Sequence, residues 1–280
     1  MNRILLRKKL KEFFMEDFQY KDLTSDAIFP KNKKGTAKFY AKADGILSGL
    51  AIIKEGYHLL DKNIKINYYK KDGDYVEEGE TIATVSGPIV SILTGERVIL
   101  NLIQKMSGIA TITQQAVRTL NNPNIKIVDT RKTTPGLRMF EKYAVTCGGG
   151  YNHRFGLGDL VMIKDNHIAF SGSIEKAVKL VRQQIGPATK IEVETETIEQ
   201  VKEAVAQKAD IIMFDNRSVN EINKMASYVP EHILTEASGG ITLDTLKYYR
   251  EAKVNFISLG FLTHSVKALD ISLTIEGVVH

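Results

Sequence analysis

Cationic side chains are concentrated in one window of the sequence, residues 129–167, which reads DTRKTTPGLRMFEKYAVTCGGGYNHRFGLGDLVMIKDNH. They are Arg131, Lys132, Arg138, Lys142, His153, Arg154 and Lys164. Guanidinium groups bind carboxylates and phosphates through two parallel hydrogen bonds. A cluster of such groups, with few acids nearby in sequence, favours a small substrate that carries several negative charges.

Some residues in this window have more than one interpretation. Arg138, Glu141 and Lys142 follow TTPG as a helix would, and their spacing predicts a solvated helix face with i,i+4 pairing. His153 could act as a metal ligand, a general acid or a donor to substrate; we predict a donor to an anion, because no second histidine or cysteine stands at ligand spacing. The glycines at 148–150 indicate either a simple turn or close approach of the backbone to a ligand.

Two acids, Glu194 and Asp215, end neighbouring predicted strands. Their carboxylates could hold ribose hydroxyls, a Mg²⁺ ion or a developing positive charge. Glu192 shares a strand face with Glu194 but lies one residue pair deeper, so it is the weaker candidate ligand. Acids inside a sheet of this kind need cationic partners, which favours a functional role for Glu194 and Asp215.

The last two predicted strands end in small residues, within EASGGIT and SLGFLTHS. Such residues expose backbone N–H groups, which can bind a phosphate together with the helix that follows. Plain turns are the alternative interpretation of each motif. Their occurrence on two successive strands favours a phosphorylated ligand, because the last loops of α/β barrels often bind phosphate.

These side chains require a scaffold of parallel strands. From about residue 125 the chain repeats a short apolar run followed by a helical pattern, and the runs are IKIVDT, LVMIKDN, KIEVETE, DIIMFDN, HILTEASGG and NFISLGF. Continuous apolar runs are typical of strands buried on both faces, so we predict a parallel sheet covered by helices. The periodicity does not decide between a barrel and an open sheet. Polar groups end every strand, which predicts one shared site at the carboxyl edge.

The first hundred residues have a different pattern. KGTAKFYAKADGILSGLAII and YKKDGDYVEEGETIATVSGPIVSIL show the alternation and Asp-Gly turns of an antiparallel sheet, which predicts a separate domain. GDYVEEGETIATVSG resembles the hairpins of biotinyl and lipoyl carriers, but it presents no modifiable lysine in a Met-Lys-Met-like turn. GERVILNLIQKMSGIATITQQAVRTL then predicts a helix that links the two parts.

Composition excludes several classes of protein. With 43% hydrophobic and 25% charged residues, the chain of 280 residues is an ordinary globular sequence, long enough for one large or two smaller domains. The absence of a long apolar run and of a signal peptide, together with the single cysteine Cys147, predicts a cytoplasmic protein. The net charge of +5 is focused near glycines, and no nucleic-acid-binding motif is present, so we expect no nucleic acid partner.

The motifs DTRKTTPGLR, EKYAV, GGGYNHRFGLGDLVMIKDNH, EVETE, FDN, EASGGI and SLGFLTHS together resemble the quinolinate phosphoribosyltransferase family, over nearly the whole chain. One departure is Lys21, where the family commonly has glycine in a surface turn. The resemblance implies an N-terminal open α/β sandwich (residues 1–108), an incomplete α/β barrel of six or seven strands (109–265) and a C-terminal tail (266–280) that packs back on the N-terminal domain.

The resemblance also implies an activity, namely the reaction of quinolinate with phosphoribosyl pyrophosphate to give nicotinate mononucleotide, pyrophosphate and carbon dioxide in NAD biosynthesis, with Mg²⁺ as cofactor. It assigns quinolinate to Thr130, Arg131, His153, Arg154 and Lys164, joined by Arg97 from a neighbouring subunit of a homodimer, or of a hexamer built from dimers. It assigns phosphoribosyl pyrophosphate to Lys132, Glu194, Asp215, Ser238, Gly239, Gly240, Gly260 and His264.

Within that set, the resemblance gives catalytic roles to Lys132, Lys164, Glu194 and Asp215, and a direct or indirect Mg²⁺ contact to the two acids. The alternatives are relatives of the same fold, either a nicotinate phosphoribosyltransferase or a homologue associated with molybdenum transport. Nicotinate has one carboxylate, so the full set of Arg97, Arg131, Arg154 and Lys164 favours quinolinate. The acidic donor-binding loop of the purine-type transferases is absent from the sequence.

Overall fold

The computed structural model describes residues 1–30 and 32–276. The first elements in chain order are α1 (Arg3–Phe18), α2 (Leu23–Ile28), β1 (Lys34–Ala41), β2 (Gly45–Ile46), α3 (Leu50–Leu60), β3 (Lys65–Tyr68), β4 (Tyr75–Val76), β5 (Thr81–Pro88) and α4 (Ile89–Leu120). They are followed by β6 (Lys126–Val128), α5 (Arg138–Cys147), β7 (Val161–Ile163), α6 (Asp165–Ser171), α7 (Ile174–Arg182), β8 (Ile191–Thr195), α8 (Ile198–Ala206), β9 (Ile211–Asp215), α9 (Val219–Ala226), β10 (Leu234–Ser238), α10 (Leu243–Leu246), a 3₁₀ turn (Lys247–Glu251), β11 (Phe256–Ser258), α11 (Phe261–His264) and β12 (Ile271–Glu276).

The chain forms two compact units. Unit 1 comprises Met1–Gln114, Pro135–Gly149 and the segment from Ser265 onward, and unit 2 comprises Gln115–Thr134 and Gly150–His264. These limits differ from the predicted boundaries, because α4 continues through residue 108 and α5 groups with unit 1.

Contacts within unit 1 explain the position of α5. The ring of Phe140 lies 5.9 Å from that of Phe13, measured between centroids, and Lys105 Nζ lies 3.2 Å from Glu141 Oε1. Glu141 and Lys142 are both buried. The prediction of a solvated face at Arg138, Glu141 and Lys142 is therefore wrong for those two residues, since the helix is covered by its own unit.

Unit 1 is built on a four-stranded antiparallel sheet in the order β12-β1-β5-β3, with a separate pair formed by β2 and β4. Its core includes the aromatic rings of Phe39 and Tyr57, whose centroids are 6.3 Å apart. The predicted C-terminal tail supplies β12, which pairs with β1 from the Thr36–Glu276 pair to the Ala41–Ile271 pair. Residues 277–280 of that predicted tail lie outside the described residues.

One part of the predicted N-terminal sheet is wrong. Residues 50–53 end the stretch in which alternation indicated strands, yet they begin α3. Gly49, with a φ of 97°, turns the chain before this helix, and Ile52, Ile53 and Tyr57 then lie on its buried side. The helical spacing of these three residues outweighs the strand preference of two β-branched side chains, because packing of an apolar face dominates local propensity.

The predicted linking helix is confirmed and begins earlier than expected, since IVSIL belongs to α4 rather than to a strand. The amino-terminal segment forms α1, which buries Leu6, Leu10 and Phe14 at four-residue spacing. Of the helices in residues 1–30 and 32–276, none combines the length and apolar character that crossing a membrane requires.

Unit 2 contains a six-stranded parallel sheet in the order β6-β11-β10-β9-β8-β7. All six predicted strands are confirmed, and Val193, Ile212, Phe214 and Ala237 are buried as expected for strands covered on both faces. Thr197, Ser218 and Thr242 each cap the helix that follows, through a reciprocal capping box. After β10, the predicted helical pattern forms only the short α10, and the 3₁₀ turn takes the place of a further helical turn.

The sheet of unit 2 is an incomplete barrel. Its end strands β6 and β7 do not pair within the described residues, and Tyr151 makes only a single parallel bridge to Val128. Side chains at the carboxyl ends of both end strands nevertheless line one cavity, so the sheet curves strongly. The fold class is therefore α/β, with a mixed N-terminal unit and an open six-stranded barrel.

The triple glycine follows α5 in unit 1. A Cβ atom added to Gly148 would clash with the carbonyl oxygen of Ala110 and lie 2.6 Å from Thr113 Cβ, and Gly149 has a φ of 88°. Close packing against α4 and a left-handed turn thus account for the first two glycines, which do not belong to the cavity of unit 2. Of the two interpretations of this motif, the structure favours the turn.

We predict that Gly148→Ala lowers the free energy of unfolding by about 1–3 kcal/mol, because the backbone of α4 cannot move away from an added methyl group. Gly156→Ala is the matched control, since nothing lies within 4 Å of a Cβ at that position. Urea unfolding of both variants, followed by circular dichroism, measures the difference. Equal midpoints for the two variants would contradict the close contact between α5 and α4.

Candidate active site

A cavity of about 620 Å³ opens at the carboxyl edge of the sheet in unit 2. Most of the residues predicted from the sequence to form a site line this one cavity, namely Thr130, Arg131, Lys132, His153, Arg154, Lys164, Asp215, Ser238, Gly239, Gly240, Gly260 and His264. They converge because the strands are parallel and all of them end at the same edge of the sheet.

The cations lie after β6 and β7, at the two ends of the open sheet. The Arg154 guanidinium is held by the Leu160 carbonyl oxygen at 3.1 Å and by Met162 Sδ at 3.4 Å. Burial, and then the proximity of Arg131, lower the pKa of Arg154 from its ordinary value. Cations held close together and partly buried repel one another, and an anionic ligand relieves that repulsion.

Glu194 joins the site through Lys164, whose Nζ donates to Glu194 Oε2 at 2.6 Å. Asp215 ends the neighbouring strand and lines the cavity. Because Glu194 is in register with Met213, Asp215 stands one residue pair nearer the carboxyl edge on the same face. These two carboxylates are oxygen donors of the kind that Mg²⁺ prefers.

Beneath the cations lies a buried cluster that we call the proton cluster, formed by His153, Glu192 and Glu236. His153 Nε2 is 3.1 Å from Glu192 Oε2 and 3.2 Å from Glu236 Oε2. Both glutamates are almost completely buried, whereas His153 and Glu236 also line the cavity. Their potential ligand atoms lie within 4.8 Å of one another, close enough to share a cation or protons.

The charges of the proton cluster are strongly coupled. Burial alone lowers the pKa of His153, but the hydrogen bonds that His153 donates to Glu192 and Glu236 outweigh burial and raise it to about 10. Burial, together with the nearby Glu236 carboxylate, raises the pKa of Glu192. The Arg154 backbone N–H donates to His153 Nδ1 at 2.7 Å, which requires Nδ1 to be unprotonated.

A fully charged ring and that hydrogen bond are incompatible, so we assign the protons to the cluster rather than to one residue. Two protons, one on Nε2 and one on the carboxyl groups, give a neutral ring and a net charge of −1. This arrangement satisfies the hydrogen bond to Nδ1 and leaves only one buried carboxylate ionised.

Two residues that line this cavity, Glu236 and Asp129, were not predicted from the sequence. Glu236 precedes the glycine motif inside the strand, where alternation places it on the same face as Ser238. Asp129 stands at the end of the run IKIVDT. It is buried and accepts hydrogen bonds from Asn152 Nδ2 at 2.6 Å and from the His153 backbone at 2.9 Å, so it positions the segment that carries His153.

The ends of β10 and β11 are the part of the cavity where the sequence predicts a bound phosphate, and we call this part the phosphate corner. Gly239 and Gly240 have φ values of 88° and 63°, and a Cβ on Gly239 would lie 2.7 Å from the Asn216 backbone nitrogen. Ser258 Oγ donates to Ser238 Oγ at 2.9 Å. Larger side chains are therefore excluded, which leaves backbone and hydroxyl groups facing the cavity.

Two neighbouring residues complete this corner. Gly260 lies against Lys132, since a Cβ on the glycine would be 3.1 Å from Lys132 Cδ. Thr263 Oγ1 donates to the Lys132 carbonyl oxygen at 2.7 Å. Arg97 is the predicted site residue that unit 2 does not contain, because it is exposed on α4 within unit 1.

An incomplete α/β barrel whose cavity is lined by cations, acids and glycines at the strand ends defines an enzyme of the barrel-type phosphoribosyltransferase class. Two family models match the chain: quinolinate phosphoribosyl transferase, N-terminal domain, over residues 22–107, and the C-terminal domain of the same enzyme over residues 109–274. The chain belongs to the quinolinate phosphoribosyltransferase family.

Individual relatives agree with this assignment. A probable nicotinate-nucleotide pyrophosphorylase [carboxylating] from Bacillus subtilis (strain 168) is 57% identical over 98% of this chain and 95% of its own length. The crystal structure of NadC from Streptococcus pyogenes is 39% identical and covers 99% of both chains with a TM-score of 0.95. Human nicotinic acid phosphoribosyltransferase, at 12% identity and a TM-score of 0.63 over 100% of this chain and 75% of its own, is similar in fold alone.

We predict that Glu192→Gln lowers the pKa observed at the His153 ring, because the variant removes one of the two carboxylates that raise it. Nuclear magnetic resonance titration of the imidazole measures the change. Glu194→Gln is the matched control, since Glu194 contacts Lys164 rather than His153. Proton binding by the cluster should stabilise the fold fully below pH 6.5, and that contribution should disappear as the pH rises through about 10.

Proposed function

We propose that the cavity of unit 2 transfers a phosphoribosyl group from phosphoribosyl pyrophosphate to quinolinate, with loss of carbon dioxide, in NAD biosynthesis. The products are nicotinate mononucleotide, pyrophosphate and carbon dioxide. The observation that carries the proposal is that one cavity is lined both by Arg131, Arg154 and Lys164, which we call its cationic end, and by an acid and three glycines at the ends of other strands. This lining matches a dicarboxylate together with a phosphorylated sugar.

Quinolinate binds at the cationic end. Arg131, Arg154 and Lys164 hold its two carboxylates, and Thr130 and His153 complete that surface. The Leu160 and Met162 contacts keep the Arg154 fork in one orientation, so little rotamer entropy is lost when the substrate binds.

Phosphoribosyl pyrophosphate binds at the other end. Lys132 faces its pyrophosphate, and Glu194 and Asp215 accept hydrogen bonds from the ribose hydroxyls. The 5′-phosphate contacts a group of small residues and one histidine: Ser238, Gly239, Gly240, Gly260 and His264.

Catalysis is mainly positioning and electrostatics. The cations hold two anionic substrates in contact although they repel each other, which brings the pyridine nitrogen to the anomeric carbon. As pyrophosphate leaves, Glu194 and Asp215 stabilise the positive charge that develops on the ribosyl group, and Lys132 stabilises the leaving group. Lys164 balances Glu194 while it contacts quinolinate, so one side chain connects the two halves of the site.

Glu194 and Asp215 are also the residues that would hold Mg²⁺, either directly or through water. They fit the ion, because both carboxylates stand on one face of adjacent strands and offer hard oxygen donors. When bound there, Mg²⁺ would neutralise part of the negative charge of pyrophosphate.

The active unit is a homodimer whose sites are shared, or a hexamer of such dimers. Arg97 is exposed on α4 in unit 1, where it is available to a second subunit. The single cysteine, Cys147, is reduced, which accords with a cytoplasmic location.

With Mg²⁺ and phosphoribosyl pyrophosphate present, we predict that quinolinate yields nicotinate mononucleotide and an equal amount of carbon dioxide, whereas nicotinate yields no product. The reason is that a monocarboxylate leaves cations of the quinolinate subsite unpaired. Chromatography of the nucleotide and trapping of labelled carbon dioxide measure both products. Product from nicotinate without carbon dioxide would instead indicate a nicotinate phosphoribosyltransferase.

A mixture of two single variants, Arg97→Ala and Lys164→Ala, tests whether the site is shared between subunits. Each variant alone should be folded and almost inactive. Mixing them under conditions that exchange subunits should restore roughly a quarter of wild-type activity, because half of the dimers are hybrids with one intact site each. Activity that never rises above that of the separate variants would place Arg97 in the site of its own subunit.

A further inference from the structure

The proposed reaction consumes a proton that the substrate-binding residues do not supply. When carbon dioxide leaves the ring, the carbon–carbon bond breaks and its electron pair stays on the ring carbon next to the quaternised nitrogen. Nicotinate mononucleotide carries hydrogen at that carbon, so one proton must be delivered there in each turnover. A ring carbanion that receives no proton recaptures carbon dioxide held in the same cavity.

Arginine and lysine are poor sources for this proton. Guanidinium groups do not release protons in the accessible pH range, and Lys164 Nζ donates to Glu194 Oε2 at 2.6 Å. A general acid needs a dissociable proton and access to the reacting carbon. The source should therefore be another group that lines the cationic end of the cavity.

The proton cluster has both properties. Glu236 lines the cavity although its side chain is only 2% exposed, and its Oε1 has no hydrogen-bond partner among the described residues. A buried carboxyl oxygen without a partner is costly unless it gains a proton or meets a ligand. Glu192, which is fully buried, lies 3.1 Å from the same His153 Nε2 atom.

The charged surroundings favour storage of a proton over binding of a metal ion. Arg154 acts electrostatically on Glu192 and is itself affected by Arg131. Asp129 holds the backbone of His153, and Lys164 and Glu194 form an ion pair at the ends of β7 and β8. A divalent cation in the cluster would be repelled by these cations, whereas a neutral carboxylic acid is not.

We propose that Glu236 is the catalytic acid that protonates the ring carbon after decarboxylation, and that His153 and Glu192 are positioning residues that keep its proton in place. This inference rests on the proposed function of the cavity. The Glu236 carboxyl group donates its proton to the carbanion as carbon dioxide departs, and it becomes a carboxylate. His153 Nε2–H, shared with Glu192, stabilises that carboxylate until a proton from water restores the acid.

The test compares the rates at which the Glu236→Gln enzyme releases pyrophosphate and carbon dioxide during a single turnover. Pyrophosphate release should proceed at nearly the wild-type rate, because the transferase step needs no acid. Carbon dioxide release should slow by about 100-fold, the usual contribution of a general acid, so the dicarboxylated mononucleotide should accumulate. Rapid quenching with detection of all three compounds measures both rates.

Glu55→Gln is the matched control, since it also replaces a buried glutamate but lies in unit 1, where Glu55 pairs with Arg3 at 2.8 Å. It should release both products at equal rates. Glu192→Gln should slow carbon dioxide release less than Glu236→Gln does. Equal slowing of both products, or unchanged rates of both, in a folded Glu236→Gln enzyme would overturn the proposed acid. Failure of the wild-type enzyme to release pyrophosphate from phosphoribosyl pyrophosphate and quinolinate would overturn the proposed function instead.

A measurement on the wild-type enzyme avoids the risk that Glu236→Gln does not fold. Burial lowers the pKa of His153, but its hydrogen bonds to Glu192 and Glu236 raise it to about 10, so the cluster keeps its shared protons at neutral pH and gives them up at high pH. The rate of carbon dioxide release relative to that of pyrophosphate release should therefore fall between about pH 7 and about pH 11, since the acid form is lost. A ratio that stays constant across this range contradicts delivery of the proton by the cluster.

Discussion

Repulsion between like charges is the constraint on which the site of this protein depends. The cavity gathers Arg131, Lys132, Arg154 and Lys164, and such a set is unfavourable without anions nearby. Substrate supplies those anions only while it is bound. The free enzyme must therefore carry its own, and the acids Asp129, Glu192, Glu194 and Glu236 all lie on strands of the parallel sheet or directly after them.

These acids serve in different ways because their environments differ. Glu194 forms a direct ion pair with Lys164 and is partly exposed, so its carboxylate can exchange this partner for another. Asp129 is buried, and its two carboxylate oxygens accept hydrogen bonds from Asn152 and from the His153 backbone. Glu192 and Glu236 face one imidazole nitrogen in a medium that disfavours two negative charges. The same region of the fold thus holds three kinds of carboxyl group. Glu194 can exchange its partner, Asp129 has a structural role, and Glu192 and Glu236 can share a proton.

The open barrel makes this arrangement possible. Six parallel strands deliver one or two polar side chains each to the same edge, and the short helices that follow are anchored by Thr197, Ser218 and Thr242. Unit 1 has the opposite character, since its antiparallel sheet and long α4 bury a conventional apolar core. The segment 135–149 belongs to unit 1 although it interrupts the motifs of the site, and Gly148 permits its close packing on α4.

The amino-acid sequence alone determined the six strands of unit 2, their parallel arrangement and most of the residues of the cavity. It could do so because buried parallel strands are continuous apolar runs and because polar residues at their ends must share one edge. Tertiary structure alone decided that 50–53 form helix rather than strand and that Glu141 and Lys142 are buried. Local pattern cannot reveal which face of a helix another element will cover.

Tertiary structure also decided the roles of Glu192 and Glu236. Each is a single acid inside an apolar run, separated in sequence from the other by 44 positions and from His153 by 39 or 83. Strand alternation predicts that such residues point inward, but it does not predict that they meet at one imidazole nitrogen. That meeting depends on the curvature of the sheet and on the path of the segment held by Asp129. Both arise from packing across the whole barrel.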